Sequence, residues 1–141
     1  MPLIQVAAQK DTLTKTKQDD LMARVSNAVL KAERAPTDFE GAQALTWAYY
    51  TETPEGSVYI GGENIDSPPL RIAVSTPEGA LNADTRSELV AEIGEIVDDI
   101  VGPFEGRLNH WTLLNEVAEG SWAGGGQVFP LVGIKSAMNI K

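Results

Sequence analysis

The 141-residue chain has no cysteine, which excludes disulfides, thiol nucleophiles and thiolate metal sites. It has one histidine, His110, too few for a histidine-rich metal site and a poor basis for a Ser-His-Asp triad. Positive charge is also scarce. Eleven Lys and Arg face twenty Asp and Glu, and the net charge of −9 opposes general binding to nucleic acid or to an anionic membrane. No apolar run approaches the ~18 to 20 residues of a membrane helix, and the first residues lack the basic start and apolar centre of a signal peptide. The expected compartment is the cytoplasm. The length suits one domain, 1–141, with a core of its own.

What the chain does have begins at Pro2. If Met1 is removed, the Pro2 nitrogen becomes a secondary amine rigidly held by its ring. A terminal amine titrates at about 7.7 to 8.0, and an apolar surrounding lowers that value by penalising the charged form, so it can serve as a base near neutrality. If Met1 is kept, the same nitrogen is an amide and no base. An ordinary terminal proline is the alternative reading of the residue alone.

Residues 2–8 read as a short strand covered on both faces, with Gln5 its one polar member. Thr14 caps a helix expected from Lys15 to Arg34, whose apolar face is Leu21, Met22, Val25, Ala28, Val29 and Ala32. Alternation and aromatic content over Gln43 to Glu52 predict a second strand. A turn at 53–56 leads to a short strand at 57–60, and the polar stretch 63–69, ending in two prolines, reads as a linker.

The pattern then starts again. Leu70 to Val74 forms a strand, Asn82 caps a helix that Gly102-Pro103 end, and Arg107 to Glu116 is the next strand. Adding 68 to Ile4, Val6, Leu13, Thr14, Leu21, Val25 and Val29 gives Ile72, Val74, Leu81, Asn82, Leu89, Ile93 and Val97. Further on, Glu52 to Ser57 matches Glu116 to Ser121 at an offset of 64. The chain therefore holds an internal repeat, 2–66 and 67–126, with a tail at 127–141.

Each repeat is strand, helix, strand, and right-handed crossovers make its two main strands parallel. The fold class is α+β, an α/β sandwich. It has a four-stranded mixed sheet and both helices on one face. The other face carries Trp47, Tyr49 and Trp111 and needs a cover, which self-association supplies. The tail from Gln127 to Ile134 is apolar enough to add a strand to a neighbouring copy.

These features together resemble the tautomerase superfamily, which includes 4-oxalocrotonate tautomerase, macrophage migration inhibitory factor, malonate semialdehyde decarboxylase and the chloroacrylate dehalogenases. The carrying residues are Pro2, the helix opening Thr12-Leu13-Thr14, and the turns Glu52 to Gly62 and Glu116 to Gly126, the second of which is similar to the Gly-rich run that closes short family members. The resemblance implies a homotrimer of fused repeats, without cofactor or metal, acting on a small molecule. Pro2 would move protons between carbon and oxygen of a keto-enol pair.

Departures from the family pattern narrow the chemistry. The positions of the carboxylate-binding arginines of short tautomerases hold Leu13 or Leu81 and Trp47 or Trp111. The arginine pair of the dehalogenases and the decarboxylase is missing from 75–84, and the dehalogenase histidine and glutamate fall near Val29 and Gly124. Dehalogenation by that apparatus is therefore not expected. The substrate-binding candidates that remain are Trp47, Tyr49 and Trp111, with Arg71 available for one carboxylate. Aromatic walls with few cations favour a neutral or aromatic enol over a dicarboxylate, and the expected substrate is a small 2-oxo or enol acid. Burial in a subunit interface accounts for the aromatics equally well, and alternation sets Arg71 out of phase with Leu70 and Ile72. The competing functional readings are a non-catalytic trimeric binding or structural protein and a hydratase- or decarboxylase-type relative.

Overall fold

A computed structural model describes residues 1–141. The elements that build its main layer are β1 (Leu3–Gln9), α1 (Lys15–Ala32), α2 (Glu40–Ala44) and β2 (Trp47–Thr53) in the first repeat. A small hairpin follows, β3 (Tyr59–Ile60) and β4 (Glu63–Asn64). The second repeat supplies β5 (Leu70–Pro77), α3 (Ala83–Val101) and β6 (His110–Val117), then the hairpin β7 (Ala123–Gly124) and β8 (Gln127–Val128), and finally α4 (Leu131–Ala137).

The sheet order is β2-β1-β5-β6. β1 and β2 are parallel, β5 and β6 are parallel, and the two repeats meet through antiparallel β1 and β5. Gln5 pairs directly with Ala73 in that central ladder, and these residues are also equivalent under the 68-residue offset. A pseudo-two-fold axis therefore passes between them. The same symmetry appears in the helix caps: Thr14 accepts from the Lys17 N–H, and Asn82 accepts from the Thr85 N–H within a capping box.

One face of the sheet packs on both long helices. Ile4, Val6, Ile72 and Val74 meet Leu21, Val25, Val29, Leu89, Ile93 and Val97, all 1 % exposed or less. Burying each such side chain contributes about 1.5 to 3 kcal/mol. The opposite face is open: Trp47 is 61 %, Tyr49 54 % and Trp111 67 % exposed.

Three local expectations are corrected. Residues 43–44 belong to α2, and the second strand starts at Trp47 instead of Gln43. Part of the expected linker, Glu63–Asn64, is a strand that closes a hairpin on Tyr59–Ile60. Its turn residues Gly61 and Gly62 both have positive φ, as do Gly125 and Gly126 in the matching hairpin, the requirement of a type I′ turn. In the tail, Gln127–Val128 pairs within its own chain and Leu131–Ala137 is helical, so one strand over Gln127 to Ile134 is replaced by a two-residue strand and a helix. The α4 residue Ile134 and the following Met138 bury instead against Leu30, Ala35 and Ala42, making a second small core.

Candidate functional site

Pro2 is buried at the start of β1 and its carbonyl accepts from the Trp47 N–H at 3.3 Å, which ties the amino terminus to β2. The tail core closes over Met1 from the other side. Between them opens a cavity of about 500 Å³ whose walls include Pro2, Trp47, Ser75, Ser121, Trp122 and Gly124. No charged side chain lines it. The Trp47 indole N–H donates to the Ala44 carbonyl at 3.1 Å, so the short helix α2 fixes the ring. Trp122 enters from the hairpin, where its carbonyl accepts from the Phe129 N–H at 2.8 Å.

The charged group nearest the terminus, Glu33, is not among the expected site residues. Glu33 is 2 % exposed, and its Oε2 lies 3.1 Å from the Met1 ammonium. Its other oxygen, Oε1, is buried with no hydrogen-bond partner. A Schellman motif holds it in place: Ala35 N–H bonds to Leu30 O and Arg34 N–H to Lys31 O, with Arg34 at positive φ. Glu33 thus caps the carbonyl end of α1, where the helix dipole disfavours a carboxylate. Burial raises its pKa above the ordinary value, and the Met1 ammonium opposes that rise. Burial likewise lowers the pKa of the Met1 amine, against the pull of Glu33. The signal available in the sequence was an acid at the end of an otherwise apolar helix face. Its meaning depended on the terminus folding back onto that helix.

Four of the five expected site residues fall into two groups within the chain. Pro2 and Trp47 share the cavity just described. Arg71 and Trp111 are cross-strand partners that line a different cavity. Along β1 that second position is Ala7, four residues from Leu3 and about 14 Å away at strand rise. Tyr49 sits between the two ends on the open face, opposite Gln5. His110 points to the helix side, its Nδ1 2.7 Å from Asn109 Oδ1, and burial lowers its pKa. Glu116 pairs with Arg86, and Glu52 accepts from the Asp11 N–H at 3.3 Å, so both have structural partners. No group of three or more His, Asp or Glu side chains is placed to hold a metal ion. No helix is long and apolar enough to cross a membrane.

No protein-family model matches the sequence. No curated protein matches it either. Solved structures do match. The protein Pt0534, in a form inactivated by 2-oxo-3-pentynoate, superimposes with a TM-score of 0.74 at 20 % identity, over 94 % of this chain and 98 % of that one. A fused 4-OT solved as a wild-type symmetric trimer gives 0.73 at 17 % identity, over 94 % and 98 %. Macrophage migration inhibitory factor from Toxoplasma gondii gives 0.68 at 18 % identity, over 90 % and 99 %. All are tautomerase-superfamily proteins. The similarity spans nearly the full length of each, both repeats included, and the chain therefore has the tautomerase fold, the α+β architecture that macrophage migration inhibitory factor shares.

Proposed function

We propose that this protein is a cofactor-free tautomerase in which Pro2, freed of Met1, carries the proton. The observation that supports this reading is the placement of Pro2: buried, at the wall of an apolar cavity, with a buried carboxylate against the amino terminus. Loss of Met1 turns the Pro2 amide nitrogen into a secondary amine and leaves Glu33 without its ammonium partner. The cavity penalises the charged amine and Glu33 favours it, two opposed effects that leave a base usable near neutral pH.

In the forward direction the neutral amine takes the hydroxyl proton of an enol as the carbonyl forms. The resulting ammonium then delivers a proton to the adjacent carbon. No electrons are transferred overall and the amine is regenerated. Positioned acid-base catalysis of this kind contributes about 10² to 10⁴ in rate. Trp47 and Trp122 supply flat apolar walls, and the absence of charged side chains suits an aromatic enol over a dicarboxylate.

The test begins with the intact mass of the untagged protein, followed by ketonisation of phenylenolpyruvate. The expected result is a mass lacking methionine, with turnover abolished by Pro2→Ala. Pt0534 is inactivated by 2-oxo-3-pentynoate. In this chain the same ynone should acquire the Pro2 nitrogen by conjugate addition, with a proton passing to the neighbouring carbon. A labelled Pro2 peptide records the reaction, and turnover unchanged in Pro2→Ala defeats the proposal. One observation favours a second reading, a binding protein without chemistry: with Met1 kept, its amine and Glu33 form a closed pair. A mass that retains methionine supports that alternative.

A further inference from the structure

The pseudo-two-fold axis repeats the Pro2 cavity at the opposite end of the sheet, but with different contents. This second cavity, about 660 Å³, has Leu70 in place of Pro2, Trp111 in place of Trp47, Arg71 in place of Leu3 and Tyr59 in place of Ala123. Leu70 lies within the chain, and its N–H is committed to the Asn109 carbonyl at 2.9 Å. Nothing at the proline-equivalent position can therefore move a proton.

Charge is distributed here against the composition of the whole chain. Acidic residues outnumber basic ones twenty to eleven, yet the cavity is lined by two arginines, Arg71 and Arg107, and by no carboxylate. Arg71 forms no ion pair and stands on the open sheet face beside Trp111. Arg107 is anchored by Nη2, which donates to the Ser67 carbonyl, and its guanidinium lies 4.4 Å from the centre of the Phe104 ring. Its Nη1 is buried and has no partner. Arg107 thus lines the cavity with its guanidinium held in place, and a guanidinium carries five N–H donors in a fixed fork. A carboxylate is the acceptor that matches its geometry and charge.

We infer that this second cavity binds a small planar carboxylate without converting it. The carboxylate would meet Arg71 and Arg107, and the flat body would lie against Trp111 and Tyr59. This inference stands apart from the proposed chemistry of Pro2, since neither arginine lines the Pro2 cavity.

The test uses the full chain and 4-fluorobenzoate, followed by fluorine NMR and by isothermal titration. One saturable site per chain is expected, weakened about tenfold or more by Arg71→Gln and by Arg107→Gln separately, and retained in Pro2→Ala. Two variants are used because Arg107 also holds the 102–109 loop, whereas Arg71 makes no bond within the chain whose loss would disturb the fold. Circular dichroism identifies any variant that unfolds. Absence of saturable binding overturns the inference. So does binding that Pro2→Ala or Trp122→Ala weakens and Arg71→Gln leaves intact, which puts the ligand in the first cavity.

Discussion

At the scale of single residues, Glu33 decides more than its exposure suggests. A carboxylate buried at a helix carbonyl end is unfavourable on two counts, and the amino terminus is the one cation beside it. In a chain that keeps Met1, the two pKa shifts make stability depend on pH in opposite senses. Glu33 sits above its ordinary 4.5, so the folded state holds that proton more tightly than the unfolded chain, and stability falls as pH rises through the raised value. The amine sits below its ordinary 8.0, so there the unfolded chain binds the proton more tightly, and stability rises as pH climbs from the lowered value towards 8.0. Urea midpoints measured between pH 4.5 and 8.0 should therefore pass through a minimum. Glu33→Gln should erase the falling limb and deepen the rising one, since the amine then loses its counter-charge. A profile that this substitution leaves unchanged separates Glu33 from the terminus. In the enzyme lacking Met1 the same substitution should move the acid limb of kcat/KM to lower pH, because Glu33 favours the Pro2 ammonium. Pro2 itself is legible in the sequence as a residue type in a place. Glu33 is not, because a helix-end acid acquires meaning only once tertiary structure brings the terminus to it.

At the scale of elements, the long helices and main strands follow from periodicity, and their energetics follow from which face is buried. Ile93, 0 % exposed between the sheet and α1, should lose about 2 to 5 kcal/mol of unfolding free energy on change to alanine. Removing the cap with Asn82→Ala should cost about 1 kcal/mol, read from the same urea titrations. The cross-helix pair Arg24–Asp99, at 2.6 Å, is solvent-exposed and screened by water, and Arg24→Gln should leave the urea midpoint nearly unchanged. An Ile93→Ala effect no larger than that of Arg24→Gln contradicts this ranking. The short elements were less legible for definable reasons. Leu45, Trp47 and Tyr49 alternate as a strand does, but a five-residue helix offers too few turns to show a period against them. In the tail, apolar content over 127–134 suggested a strand, whereas the helical signal is the burial of Ile134 with Met138, four residues on and outside that stretch. Pro130 at the N-cap position completes the break between strand and helix.

At the scale of the whole molecule, the helices cover one side of the sheet and leave the other to be covered from outside the chain. The fused 4-OT of the same fold is a trimer. Three copies are the proposed assembly here, with the open faces turned inward. Tyr49 and Leu113, which line neither cavity, would then exchange water for apolar contact, part of the kind of patch that isolated chains rarely leave exposed. Both cavities border this face, so association would also narrow their mouths, a consequence that composition and periodicity along one chain cannot express. Leu113 is the residue with which to probe the assembly: it is 46 % exposed, lies on the open face opposite Ala73, and lines neither of the two cavities. A carboxylate placed there stays solvated in a single chain but is stripped of water in the assembly, at a cost that apolar contacts do not return. Sedimentation equilibrium of the unaltered protein should give three times the 15.1 kDa chain mass. Leu113→Glu should sediment as one chain with an unchanged circular dichroism spectrum. A folded variant that remains trimeric would show that the open face is not where the copies meet.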